Sequence, residues 1–155
     1  MLKVYVAGPI SNSDSLVFLD NIRKGIKICK DMVASEFFAV FCPFLDFMYH
    51  MTLNEWDIMT VKKYQLNSLA WLEVSDCIYL LDGWEDSKGV AREIDRANDL
   101  GIPIFKSFPL LVEYATRFKE KIPEVRPGKA EVFSFTAKVS ERSGEGLDLR
   151  QPKIR

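Results

Sequence analysis

The chain has 155 residues, enough for one domain with a substantial core plus an extension. Hydrophobic residues make up 48% and charged residues 28%, an ordinary globular balance, and a net charge of -1 gives no global attraction for nucleic acid or an anionic membrane. No apolar run reaches the length of a membrane span, and one histidine with three scattered cysteines argues against a zinc site or a histidine-based triad.

Met1-Leu2-Lys3 leads straight into a strand instead of a signal peptide. Leu2 to Ala7 is that strand, and it runs into Gly8-Pro9-Ile10-Ser11-Asn12-Ser13. Strand, small-residue loop and helix in succession form the usual first unit of a doubly wound fold. The glycine admits close backbone approach to a ligand, and Ser11, Asn12 or Ser13 can cap the helix or hydrogen-bond a sugar or phosphate. The loop lacks G-x-G-x-x-G spacing, so the dinucleotide fingerprint is absent. From about Asp14 to Ala34, Leu19, Ile22, Ile26, Cys29 and Val33 recur at helical spacing, with Arg23, Lys24, Lys27 and Lys30 turned away as a solvated face.

Phe37 to Cys42 reads as a second buried strand, stopped by Pro43. Pro43 to Asn54 is apolar for a loop: Phe44, Phe47, Met48, Tyr49 and Met51 surround Asp46 and His50, which suits either a lid that stacks on a flat base or a subunit contact. Thr52-Leu53-Asn54-Glu55 has the form of a capping box. It predicts a helix to about Glu73 whose inner face carries Ile58, Val61, Leu69 and Leu72, with Gln65 and Ser68 in the same stripe. Cys77 to Leu81 is a third strand, buried on both faces, ended by Asp82-Gly83. Ser87 or Asp86 then caps a helix from Lys88 to Leu100 that closes on Gly101, and Ile102 to Phe105 is a fourth strand. Cys29, Cys42 and Cys77, with no paired spacing, read as buried free thiols in a reducing cytoplasm.

This alternation predicts an α/β fold, a flavodoxin-like or Rossmann-like doubly wound parallel sheet in the order 2-1-3-4 with helices on both faces. Residues 1–106 carry the pattern. Residues 107–155 add a helix from Leu110 to Lys121, a half-exposed segment from Glu131 to Val139 that is a candidate fifth strand, and a polar tail from Ser140.

One residue breaks the pattern of the Lys88–Leu100 helix. At about 100° per residue, Val90, Ile94, Ala97 and Leu100 share one arc, and Glu93 is the only charged residue inside it. A charged side chain is almost never buried without a partner or a task. Glu93 therefore either sits at the stripe's edge, reaching water or an arginine, or points over the carboxyl end of the third strand, where open α/β sheets bind ligands.

Four motifs in order, Val4-Tyr5-Val6-Ala7-Gly8-Pro9-Ile10, Ser75-Asp76-Cys77-Ile78-Tyr79-Leu80-Leu81, Gly83-Trp84-Glu85-Asp86-Ser87-Lys88-Gly89 with Glu93, and Gly101-Ile102-Pro103-Ile104, resemble the nucleoside 2-deoxyribosyltransferase superfamily. The pattern is most similar to a small uncharacterised phage and bacterial branch, and also to the 2'-deoxynucleoside 5'-monophosphate N-hydrolases. The resemblance covers residues 2–106. It implies cleavage of the N-glycosidic bond of a 2'-deoxynucleoside or its 5'-monophosphate, with Glu93 as the nucleophile and transfer of the sugar to water or another base. Asp82, Asp46 or the Tyr5 hydroxyl would help the leaving base, and Gly8, Pro9, Ser11, Trp84, Ser87 and Gly89 would shape the pocket. Ser87 stands where the monophosphate hydrolases carry a serine near the phosphate. Ser68 departs from the pattern: the superfamily usually has an aspartate there, which leaves a catalytically impaired nucleotide-binding module as the alternative. The resemblance also implies a homo-oligomer and no metal or organic cofactor; neither a membrane nor a nucleic-acid partner is expected.

Overall fold

The computed structural model describes residues 1–54 and 58–121. Strands β1 (Leu2–Ala7), β2 (Phe38–Phe41), β3 (Cys77–Leu80) and β4 (Ile104–Phe105) form one sheet in the order β2-β1-β3-β4. All pairings are parallel, with Leu2 opposite Phe38, Val4 opposite Cys77 and Ile78 opposite Ile104. Helices α1 (Ser15–Ala34), α2 (Val61–Glu73), α3 (Lys88–Leu100) and α4 (Phe108–Lys121) complete a three-layer α/β fold, the architecture and strand order that the alternating pattern predicts.

The two outer layers follow from the alternation of side chains along β1. Leu2, Val4 and Val6 face Cys29 and Met32 of α1 and Leu111 and Ala115 of α4. Tyr5 and Ala7 face the other way, onto Leu72 of α2 and Val90 and Ala97 of α3. Helix α4, which follows the strand-bearing residues, also contributes Leu111 and Ala115 to this core. The segment from Glu131 to Val139 and the tail from Ser140 lie outside the described residues. No helix among the described residues is long and apolar enough to cross a membrane.

Two helix starts differ from expectation. Asp14, not a residue of the Ser11–Ser13 group, caps α1: its Oδ1 accepts from the backbone N–H of Leu16 at 2.8 Å. Asn12 is committed one step earlier, accepting from the Asp14 N–H at 2.8 Å. The larger correction concerns Thr52. Residues Pro43–Thr52 wind as a 3-10 helix instead of a loop, and the Thr52 hydroxyl donates to the Tyr49 carbonyl at 2.8 Å, so it closes that segment. Helix α2 begins only at Val61, behind Thr60, whose hydroxyl oxygen accepts from the Lys63 N–H. As a result Ile58 and Val61 stand exposed, and the inner face reduces to Ser68, Leu69 and Leu72.

The buried line of α1 is also rotated from the expected stripe. Ile22, Gly25, Cys29 and Met32 are inside, while Leu19 and Val33 are about half exposed. Phe44 of the 3-10 helix explains the shift, because its ring lies against Gly25 so closely that a Cβ there would stand 2.3 Å from Phe44 Cγ. Helix α3, in contrast, has the bounds read from the sequence: Ser87 accepts from the Val90 N–H, and Gly101 closes the helix with a left-handed φ of 67°.

Candidate active site

The strand order changes direction between β1 and β3, and in such sheets a crevice opens above the carboxyl ends of those two strands. A cavity of about 840 Å³ lies there, in the size range of small-molecule sites. Its wall is built from five places in the chain, one of them α1 with Phe18 and Asn21. The loop after β1 supplies Gly8, Pro9 and Ser11, the 3-10 helix supplies Phe44, Asp46 and Phe47, and α2 supplies Gln65 and Ser68. The start of α3 supplies Ser87, Gly89, Arg92 and Glu93. Gly8 is tightly enclosed: a Cβ there would meet Leu81 Cβ at 3.0 Å and Phe44 Cζ at 3.1 Å, so these side chains would have to give by a few tenths of an ångström.

Glu93 lies among these lining residues, and its Oε1 accepts a 2.6 Å hydrogen bond from the Tyr5 hydroxyl. Tyr5 is fully buried, so its ring lies under the cavity and only its hydroxyl serves the site, through Glu93. The ring is held in place by Phe41, stacked at 5.4 Å, which in turn stacks on Trp71 at 5.3 Å. Arg92 does not pair with Glu93; its guanidinium donates to Gln65 Oε1 and to the Lys88 carbonyl, both at 3.2 Å.

Burial dominates the electrostatics. It pushes the Glu93 carboxyl up to about 7, against the smaller lowering effects of the Tyr5 hydrogen bond and the Arg92 charge. Burial, then the Glu93 charge, hold the Tyr5 phenol far above its ordinary range, so it stays protonated and remains a donor. Asp46 is also raised by burial. The site thus holds two carboxyls biased toward the neutral form, one of them braced by a permanent donor. Ser68, buried at 7% exposure, also lines the cavity.

Of the residues singled out from sequence, Gly8, Pro9, Ser11, Asp46, Ser87, Gly89 and Glu93 come together around the cavity, with Tyr5 beneath them. Asp82 and Trp84 do not. Asp82 stays exposed on the turn after β3, and its charge acts on the Tyr79 hydroxyl instead. The Trp84 ring is drawn to a separate apolar surface formed by Leu80, Ile94, Ile104 and Leu110, where Lys106 Nζ lies 4.1 Å from its centroid. Sequence reasoning missed Phe18 and Asn21 of α1 and the Arg92–Gln65 pair. Gln65 lay in the same stripe as Ser68, but Arg92 sits on the polar arc of α3 and gave no signal. Among the described residues no group of three or more His, Cys, Asp or Glu side chains is placed to hold a metal ion.

A family model described as "Domain of unknown function (DUF4406)" matches residues 2–106, about two thirds of the chain and the whole of the strand-bearing part. No curated protein matches the chain.

Proposed function

The chain belongs to the DUF4406 family, and for this member we propose cleavage of the N-glycosidic bond of a 2'-deoxynucleoside or its 5'-monophosphate through a glycosyl ester on Glu93. The observation that carries the proposal is a half-buried carboxyl, braced by a 2.6 Å hydrogen bond from Tyr5, in the wall of a cavity above the carboxyl ends of β1 and β3. The motif resemblance to nucleoside 2-deoxyribosyltransferases supports the reaction class.

In the first step an Oε atom of ionised Glu93 bonds to the anomeric carbon as the C–N bond breaks, and that bond's electron pair leaves with the base. The departing base takes up a proton. Asp46 is the donor that fits, because burial keeps its carboxyl protonated to higher pH than usual and it lines the cavity, whereas Asp82 lies outside it and Tyr5 is committed to Glu93. In the second step a water oxygen, or a nitrogen of a second base, takes the anomeric carbon from Glu93, loses its proton to Asp46, and frees the carboxylate. Ser87 caps α3 through its side chain, which leaves the backbone N–H groups at the helix start and Lys88 to face a 5'-phosphate. Self-association fits the exposed Val61, and a reducing cytoplasm fits three cysteines free of disulfides.

Chromatographic detection of free base after incubation with each deoxynucleoside and each 5'-monophosphate tests the reading. Wild type is expected to release base and Glu93→Gln to lose at least about a hundredfold of that rate. Equal release by both proteins would refute the assignment. One observation favours a second reading, a binding module without turnover: Ser68 stands where the superfamily usually has an aspartate. Calorimetric binding of a deoxynucleoside monophosphate without any base release would establish that second reading.

A further inference from the structure

The described arginines divide into two kinds. Arg23, Arg96 and Arg117 each pair with a carboxylate, that of Asp20, Glu73 and Glu113 respectively. Arg92 has no carboxylate partner among the described residues, and it is the arginine that lines the cavity. Its Nε donates to the Lys88 carbonyl and its Nη1 to Gln65 Oε1, both at 3.2 Å, so both its partners are neutral. A guanidinium carries five N–H donors, accepts nothing and stays charged. The donors left over, those on Nη2 among them, have no protein acceptor among the described residues.

The two bonds anchor Arg92 at once to its own helix and to α2. Because arginine can only donate, Gln65 must turn its amide oxygen toward Arg92, which leaves the Gln65 Nε2 group as a further donor on the same wall. The charges around the cavity make an anchored cation there useful to an anion. Its acids are Asp46, Asp86 and Glu93, and its basic side chains are Lys88 and Arg92. Lys88 is an exposed, unanchored point charge, whereas Arg92 offers a fork already held in place.

We propose that Arg92, anchored by Gln65, is the specificity-determining residue that selects a phosphorylated sugar: its free N–H groups bind oxygens of the 5'-phosphate, so the site takes deoxynucleoside 5'-monophosphates in preference to deoxynucleosides. This inference rests on the reading of the cavity as a deoxynucleotide site and narrows its substrate class. Arginine and phosphate match in geometry as well as in charge, since two parallel N–H groups can meet two oxygens. Gln65 is a positioning residue. By holding the guanidinium before the ligand arrives, it reduces the side-chain freedom that binding would otherwise remove.

The test is calorimetric binding of 2-deoxyribose 5-phosphate and of 2-deoxyribose, neither of which carries a base to be released. Wild type should bind the phosphate ester at least about tenfold more tightly than the free sugar. Arg92→Gln should lose about tenfold of the affinity for the ester and none of that for the sugar. Gln65→Leu should lose about threefold, again for the ester alone. Arg96→Gln removes an equal charge one turn further along α3 and should leave both affinities unchanged. Arg92 is exposed, so its replacement leaves the core intact. Equal binding of the two ligands by wild type, or unchanged ester affinity in Arg92→Gln, would overturn the proposal. So would a loss shared equally by ester and sugar, which marks general damage to the site, or an equal loss in Arg96→Gln, which marks bulk charge. An unchanged ester affinity in Gln65→Leu would remove Gln65 from the device. Binding here needs no turnover: a protein that prefers the ester but releases no base keeps this inference and loses the reaction, and base release without that preference does the reverse.

Discussion

At the scale of single residues the proposed chemistry turns on Glu93, whose carboxyl is held near 7 by burial although Tyr5 and Arg92 both pull it down. Only the ionised form can attack, so base release should fall as the pH drops below about 7. Replacing Tyr5 with phenylalanine keeps the buried ring stacked on Phe41 but removes the one lowering interaction made through a direct hydrogen bond. The acid limb of the rate profile should then move up by about one pH unit, with the two proteins converging at alkaline pH. A Tyr5→Phe limb at the wild-type position would show that Glu93 ionisation does not govern the rate. The importance of Glu93 was legible in the sequence as a lone charge within an apolar arc. Its partner was not, because Tyr5 is 88 residues away and reads as one more apolar residue of β1. Asp82 and Trp84 misled for the opposite reason. Both sit beside the right turn in sequence, but water draws one out and a neighbouring apolar surface takes the other.

At the scale of elements, the 3-10 helix Pro43–Thr52 matters most, since it carries Phe44, Asp46 and Phe47 to the cavity. It rests on α1 where Gly25 leaves room for the Phe44 ring. Gly25→Ala should gain about 1 kcal/mol of intrinsic helix propensity and lose more to overpacking, for a net destabilisation of about 1–2 kcal/mol in denaturant melts. Coupling it with Phe44→Leu should recover part of the loss, because the smaller side chain vacates the space beside the new methyl group. A stable Gly25→Ala single variant would mean that the 3-10 helix can shift freely, and that Asp46 is not held in the site. Helices with unambiguous ends were read correctly: α3 has a capping serine and a closing glycine at the bounds expected. The start of α2 was misread because Thr52 and Thr60 are both plausible caps, and local sequence does not show which hydroxyl is already used.

For the whole molecule, the site is a source of instability that pH controls. Glu93 titrates near 7 when folded, against an ordinary value of 4.5, so folding favours its protonated form. The stability associated with this group is therefore complete below about pH 4.5 and is lost as the pH rises through 7. Glu93→Gln cannot ionise. Its unfolding free energy in denaturant melts should exceed that of wild type by a margin that grows from pH 5 to pH 8, approaching about 3 kcal/mol. A margin independent of pH would mean that the carboxyl is not held near 7.

The sequence by itself determined the layer architecture and the strand order, because buried strands alternating with amphipathic helices and short connections leave few topologies. It also marked Glu93, Ser87 and the Gly8 loop, since each is a local exception to a regular pattern. The tertiary structure alone decided which side chains meet. Tyr5 and Glu93 come from β1 and α3, and their contact depends on the parallel register of β1 beside β3 and on the helices packed over it. Periodicity tells which face of an element is inward. Only packing tells what waits on the other side.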